Sequence, residues 1–515
     1  MPQIFLGTAQ RKSPNRSLTG IFRIENHDQA LSIWRDSGCV NRVLIHVDAH
    51  HDMWWVAPGQ VVTIANYISP ALRDGLLREI YWVVPDRSWE SADNRRQILH
   101  HLYRIREQYP GPRHPVEIRR DRISTMLLGK PLHICALDGL PKFGEDVLLD
   151  LDVDYMIIPR VRYGADDPRP SLPWIWPEEL LSRLQAREVQ SDIVTIAYSV
   201  HGGYTPLRWK YFGNELESRV GGADPGVLRG MRLMREGAEA AVRGESSAAE
   251  LKFIEAAECL PSLGAPSWQL AYLYLDAQRL SEARQMYLRS LDLDPSYRTP
   301  FNSDALSSFW EHRWRAAESE CRRTLELDPG DAFAHLVLGW LALEQSKWGT
   351  AESEARRAVE IRPDSLDAQR ALGEALQKLG RGQEAVAAYE RSLKLALTGQ
   401  ESLHECPAIA VEGPRLNDWR HFDVYLRLGE LFLSLGELDR AGQYLCMAVA
   451  AGLDGVLPRF RLASLAFRQR RWKAVAWELM QMAKQSLVGT GPIMWTLWRK
   501  IRRPFRGAYE LWLVR

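Results

Sequence analysis

The chain is short of the features that mark secreted, membrane-spanning or nucleic-acid-binding proteins. Its six cysteines (Cys39, Cys135, Cys259, Cys321, Cys406 and Cys446) form no CxxC pair and no close spacing. That pattern excludes a zinc ribbon or a disulfide framework and suits reduced thiols in a cytoplasm. No uncharged apolar run reaches the ~18 residues that a membrane span needs. The opening Met1-Pro2-Gln3-Ile4 has no basic stretch leading into an apolar one, so no signal peptide is expected. Charge of one sign is also missing, with 66 Lys and Arg against 65 Asp and Glu. Nothing in that balance argues for nucleic acid or an anionic membrane as a partner.

What remains is an ordinary cytoplasmic composition, 515 residues long and able to fill two or more domains. Its most informative feature is a pair of acidic segments about 100 residues apart. One reads Arg42-Val43-Leu44-Ile45-His46-Val47-Asp48-Ala49-His50-His51-Asp52, the other Val147-Leu148-Leu149-Asp150-Leu151-Asp152-Val153-Asp154-Tyr155. Val, Leu and Ile alternate with the charges at a period of two, which predicts buried strands. Residues two apart on a strand share a face, so Asp150, Asp152 and Asp154 are expected in a row at roughly 7 Å intervals. His46, Asp48 and His50 are expected to line up the same way. Carboxylates stacked on a hydrophobic strand repel one another and lose hydration unless a cation neutralises them. The two strand ends therefore predict a metal site.

The chain divides near residue 220. Up to residue 218, short apolar strands alternate with helical stretches: Ile21–Ile24, Val43–Val47, Ile80–Val84, His133–Ala136, Val147–Val153 and Ile193–Ser199 as strands, with Gln29–Trp34, Ala71–Arg78 and Asn94–Gln108 amphipathic. That rhythm predicts an α/β domain with a mainly parallel sheet, whose ligands sit beyond the carboxyl ends of the strands. A helical linker is expected over 219–255. Over 256–485 an internal repeat is plain: Pro295, Pro329 and Pro363 are 34 residues apart, as are Ala305, Gly339 and Gly373, and so are Trp314 and Trp348. The period, the small residue in the first helix and the proline closing the second resemble tetratricopeptide repeats, an all-α solenoid whose groove suits extended peptides. Weaker units flank it at Trp268–Leu280 and Arg427–Val449, and an insertion interrupts it near 397–420. Trp310, Trp314, Trp340 and Trp348 are expected as helix-packing core. A basic, aromatic tail spans 486–515.

The Asp48-Ala49-His50-His51-Asp52 segment resembles the Asp-Ala-His-x-Asp motif of the arginase–deacetylase superfamily. In its ureohydrolases two manganese ions are held by two His and four Asp. The resemblance implies a three-layer arginase-like α/β fold with ligands His27, Asp48, His50, Asp52, Asp152 and Asp154, Asp150 standing where those enzymes carry serine. The stretch Val62–Leu72 followed by Ile80–Pro85 looks like a long-uncharacterised branch of that superfamily, some of whose bacterial members are peptide arginases. These convert arginine side chains of ribosomally made precursor peptides to ornithine. The Gly-Gly-Asp-His-Ser pattern of ureohydrolases is absent, and Tyr155-Met156 replace the usual Asp-Pro.

Four carboxylates and two imidazoles make a hard donor set that favours two Mn²⁺ over Zn²⁺. Around it, Asp150 and His46 are expected to orient ligands, His201, His51 and Asp52 to move protons, and Glu25, Asn66 and Ser199 to contact substrate. The expectation is a manganese-dependent hydrolase releasing urea from peptidyl arginine, with the repeats holding a peptide or protein substrate. The alternatives are a metal-dependent amidohydrolase or deacetylase acting on another C–N bond, and a non-catalytic repeat adaptor. Self-association through the repeats stays open.

Overall fold

Near-continuous burial along the central apolar segments builds the sheet. The computed structural model describes residues 20–58, 62–161, 171–200, 204–298, 308–309, 312–398, 419–450 and 456–489. Its strands are β1 (Gly20–Ile24), β2 (Arg42–Val47), β3 (Leu77–Val83), β4 (Glu117–Ile118), β5 (Ile123–Leu127), β6 (Lys130–Cys135), β7 (Val147–Asp152) and β8 (Ser191–Ala197). They lie in the order β1-β8-β7-β2-β3-β6-β5-β4. The first six are parallel, and β5 and β4 add an antiparallel edge. That edge was not expected from the sequence: β4 is two exposed residues, too short to carry a periodic signal.

Each face of the sheet is buried under helices. Val43, Ile45, Leu149, Leu151, Val194 and Ile196 pack with Leu180, Leu184, Phe212 and Leu216 of helices Pro177–Ala186 and Tyr211–Val220. Leu44, Ile80, Trp82, Leu148 and Ile193 pack on the other side with Leu31, Trp34, Ile68, Ile98 and Leu102. Those come from helices Gln29–Asp36, Ile68–Arg73 and Ala92–Gln108. Burial on both faces explains why β2 and β7 read as near-continuous apolar runs. The expected helix Ala71–Arg78 is displaced: the helix ends at Arg73 and β3 begins at Leu77.

The chain divides into two compact units, Met1–Val337 and Leu338–Arg515. In the first, the stretch expected as a linker forms helices Pro225–Val242 and Ser246–Cys259, packed together where Gly237 meets the ring of Phe253. Helices Ala265–Asp276, Leu280–Leu293 and Trp314–Leu327 follow. This helical part shares its core with the sheet domain, because Trp209, Phe212, Trp268 and Tyr297 belong to the same apolar cluster as Leu149. Lys210 Nζ also donates to Asp294 Oδ2 at 2.6 Å and sits 4.7 Å from the Tyr297 ring centroid.

The second unit is helical, running through Trp348–Ile361, Leu366–Lys378, Gly382–Thr398, Trp419–Leu435, Leu438–Ala450, Val456–Arg468 and Trp472–Gly489. Consecutive helices approach closely at small residues. A Cβ on Gly373 would lie 2.8 Å from the buried Tyr389 ring, and one on Gly429 2.6 Å from Leu445. The repeat tryptophans are not full core as expected. Trp314, Trp340 and Trp348 are half-buried, and Lys378 covers the Trp348 ring at 5.5 Å. Trp310, the bulk of the 397–420 insertion and the tail from 490 lie outside the described residues.

The glycine spacing therefore has a stability consequence. Gly373→Val should cost about 1–3 kcal/mol by overpacking, read as a lower denaturant midpoint. Gly349→Ala, with open space around its Cβ position, should leave the midpoint in place.

Candidate metal centre

Strand order places the acidic segments at the centre of the sheet. From β2 the chain moves out to β3 and β6, whereas β7 leads the other way to β8. The reversal lies between β2 and β7, where open α/β sheets form a crevice beyond their carboxyl ends. His46 and Asp150 face each other in register across these strands, and Thr195 on β8 faces Asp150.

The straight rows of charges expected from strand periodicity are not what forms. β2 stops at Val47 and β7 at Asp152. Both stops have the same cause. Asp48 Oδ1 accepts the His50 N–H at 2.7 Å, and Asp152 Oδ1 accepts the Asp154 N–H at 2.8 Å. An aspartate that satisfies the backbone two residues on replaces the strand ladder with a turn. Asp154 consequently sits in a short 3-10 turn, Val153–Met156. Each turn swings the next donor inward, which a strand would have carried 7 Å away.

The result is a tight cluster around Asp48. His27 Nδ1 lies 3.2 Å from Asp48 Oδ2, 3.2 Å from Asp52 Oδ2 and 3.3 Å from Asp152 Oδ2. On the other side, His50 Nδ1 lies 3.4 Å from Asp48 Oδ1 and 3.1 Å from Asp154 Oδ2. The ring nitrogen of His27 can carry one N–H, which cannot satisfy three carboxylates at once. A cation bound at ~2.1 Å sets neighbouring donors about 3 Å apart, close to the observed spacing. Three overlapping donor groups result: His27, Asp48 and Asp152; His46, Asp48 and Asp52; Asp48, His50 and Asp154. All six residues expected as ligands thus lie together, and Asp48 is common to every group.

Burial sharpens the electrostatics. Asp48, Asp150, Asp152, Asp154, His27 and His46 are all buried, while the His50 side chain is 42 % exposed and marks the mouth beside Tyr204. Burial works against a charged Asp48, but hydrogen bonds from His27 and His50 hold its carboxyl well below the usual range. Burial and the charge of Asp154 push Asp152 well above it. Burial drives Asp154 up to about 6, against the pull of His50. His27 rises well above its ordinary value because Asp150 and Asp152 outweigh the cost of burying its charge.

The supporting residues divide. Asp150 is spent on holding others: it takes Tyr67 Oη at 2.6 Å, His46 Nδ1 at 3.0 Å and the Thr195 hydroxyl. Ser199, expected at the substrate, instead donates to Asp152 Oδ2 at 2.8 Å. Ser199 and Asp52 both have left-handed backbones, with φ of 52° and 49°, a conformation that costs non-glycine residues energy and gathers at functional sites. Trp82 Nε1 fixes the Asp48 carbonyl at 3.0 Å.

His51 turns away from the cluster. Its Nδ1 accepts the Met53 N–H at 3.0 Å, and its ring packs on Trp54, Trp82 and His101. Burial, with His101 adding to it, presses its pKa down to about 3, so His51 is a neutral packing residue. Asn66 Oδ1 caps the Thr63 N–H at 2.8 Å, and the Glu25 carbonyl takes the Ser199 N–H at 3.0 Å. His201 lies outside the described residues. Sequence reasoning did not single out Tyr67 or Thr195. Neither lies in the acidic motifs, and only strand register shows that Thr195 opposes Asp150.

Comparison with known proteins bears on the helical half. Two family models of the tetratricopeptide repeat match, one over 311–365 and 336–397, the other over 267–297. No curated protein matches the chain. Among solved structures it is similar to Pseudomonas aeruginosa pilF at 15% identity, covering 54% of this chain and 99% of that one with a TM-score of 0.26. It is similar to YrrB, a TPR protein with an unusual peptide-binding site, at 19% identity, 40% and 95% coverage and a TM-score of 0.26. Yeast Tom70 matches at 14% identity, 57% and 56% coverage and a TM-score of 0.30. Tetratricopeptide repeats thus follow an α/β domain with a mainly parallel sheet.

The raised carboxyls give a pH signature. A folded pKa above the unfolded one contributes stability at low pH that is lost as pH rises through the folded value. For Asp154 that window runs from 3.8 to about 6. Relative to Asp154→Asn, chelator-treated protein should melt progressively lower across it. Mn²⁺ should restore the difference most above it, because ligands bind deprotonated. Thermal melts in which chelated protein gains on Asp154→Asn with rising pH contradict this.

Proposed function

We infer that the chain is a binuclear, manganese-dependent hydrolase acting on the guanidinium group of peptidyl arginine, with ornithine and urea as products. The observation that carries this reading is the convergence of His27, Asp48, His50, Asp52, Asp152 and Asp154 about one carboxylate. His27, Asp48, Asp52 and Asp152 would hold one ion; Asp48, His50 and Asp154 would hold the other. Two bound ions supply Lewis acidity and a water of lowered pKa, suited to a planar, electrophilic carbon.

The chain's own groups account for the rest. Five carboxylates face three imidazoles in this pocket, so two divalent cations leave it close to neutral. A cationic guanidinium entering beside His50 is then not repelled. Water adds to the guanidinium carbon, the bond from that carbon to the side-chain nitrogen breaks, and the nitrogen leaves as the ornithine amine with a proton. Asp52 is suited to move that proton, since burial and the charge of Asp48 raise its pKa above the usual carboxylate value. Ser199 and Trp82 keep Asp152 and Asp48 in place.

The repeats support a peptide over a free amino acid. A solenoid groove that holds one part of a chain raises the effective concentration of the rest at a site on the same polypeptide. A second reading, a repeat adaptor without turnover, is favoured by the family match over 267–397 alone.

Mass spectrometry separates these readings. Arginine-containing peptides incubated with Mn²⁺-loaded protein should lose the mass of cyanamide per arginine and release urea, and Asp152→Asn should abolish both. Peptide binding undiminished in Asp152→Asn, with no mass change in either protein, would leave the adaptor.

A further inference from the structure

His46 was expected as a residue that orients others from deeper in the strand. Its surroundings do not fit that role alone. The side chain is fully buried. On one edge, Nδ1 meets Asp150 Oδ2 at 3.0 Å, and that carboxylate is fixed in turn by Tyr67 Oη at 2.6 Å and by the Thr195 hydroxyl. On the other edge, Nε2 has no hydrogen-bond partner among the described residues and lies 3.4 Å from Asp48 Oδ2, the oxygen that also faces His27 Nδ1 at 3.2 Å. With Asp48 and Asp52, His46 forms one of the three donor groups of the cluster.

The tautomer follows from the carboxylate. Asp150 already accepts from Tyr67 and from Thr195, so it stands as an acceptor toward the ring nitrogen as well. The proton of a neutral His46 therefore sits on Nδ1, where it meets Asp150. Nε2 then presents a lone pair to an anionic oxygen, an arrangement that needs a positive centre between them. A carboxylate holding one imidazole nitrogen while the other faces outward is the arrangement by which proteins orient histidine ligands. It also gives a role to the acidic residue at 150: a carboxylate that takes Tyr67, Thr195 and the ring together and so fixes the ring.

We propose that His46 binds metal through Nε2, as a seventh donor on the ion shared by His27, Asp48 and Asp52. This rests on the binuclear reading above. The two ions are then unequal. The deeper one has two imidazoles, His27 and His46, whose ring centroids are 5.5 Å apart. The outer one has His50 alone, at the exposed mouth. The deeper position should fill first.

The test counts nitrogens and affinity together, with Mn²⁺ as the probe. Wild-type protein loaded with one equivalent should show two imidazole nitrogens on that ion by pulsed electron paramagnetic resonance. His46→Ala should show one and weaken the first Mn²⁺ by about 100-fold or more, beyond the loss usual for an orienting residue. Affinity within threefold of wild type, with both nitrogens retained, overturns the proposal. If His46→Ala does not fold, X-ray absorption of the singly loaded wild type decides by itself: two imidazoles support the seventh donor, one refutes it. Wild type that binds no Mn²⁺ would sink the metal reading as a whole, an outcome distinct from either.

Discussion

Five carboxylates buried side by side at the ends of two neighbouring strands dominate the energetics of the sheet domain. Each pays for lost hydration and each repels the next. Three imidazoles offset part of this, and the opposed pKa shifts of Asp48 and Asp152 show the strain of sharing few protons among many acceptors. Divalent cations at the proposed positions would relieve it directly. Much of the surrounding architecture reads as support for that arrangement: the paired aspartate turns that end β2 and β7, the left-handed backbones of Asp52 and Ser199, and the Tyr67–Asp150–Thr195 bonds beneath.

The sequence carried much of this. Short apolar runs were enough to find all six parallel strands, since both faces of the sheet are covered and the apolar signal is strong. The residues of the cluster were legible because charges at a period of two inside apolar runs have no cheap structural explanation. What escaped was local. A strand reading puts Asp154 in line with Asp152, but the Asp152 side chain captures the Asp154 N–H and bends the chain. Proline and glycine punctuation would have flagged such a turn; an aspartate in an apolar run does not. His51 was misplaced for a related reason. After the turn at Asp48 the chain leaves the strand, so neighbours in sequence no longer alternate predictably, and His51 packs on Trp54 and Trp82.

In the helical half, register was readable and depth was not. The 34-residue spacing placed Gly339 and Gly373 within helices Ala332–Glu344 and Leu366–Lys378, and the ring of Tyr389 explains why position 373 must be small. Burial of the repeat tryptophans depends on neighbouring helices, which spacing alone does not report. The stretch over 219–255, expected as a helical linker, forms helices Pro225–Val242 and Ser246–Cys259 that pack like the units that follow, and Pro261 precedes Pro295 by the same 34 residues. Through Trp209, Trp268 and the Lys210–Asp294 ion pair, the sheet domain and its first helices form one core. A peptide held by those helices would stay in fixed relation to the crevice beyond the strand ends.

The central claim is that the cluster around Asp48 is a two-ion centre. It is tested most directly by anomalous diffraction at the manganese edge from crystals soaked in Mn²⁺. The account predicts two peaks about 3.5–4 Å apart, both within bonding distance of Asp48, with His27 and Asp52 on one and His50 and Asp154 on the other. A soaked crystal with no peak at Asp48, its side chains arranged as described, would contradict it.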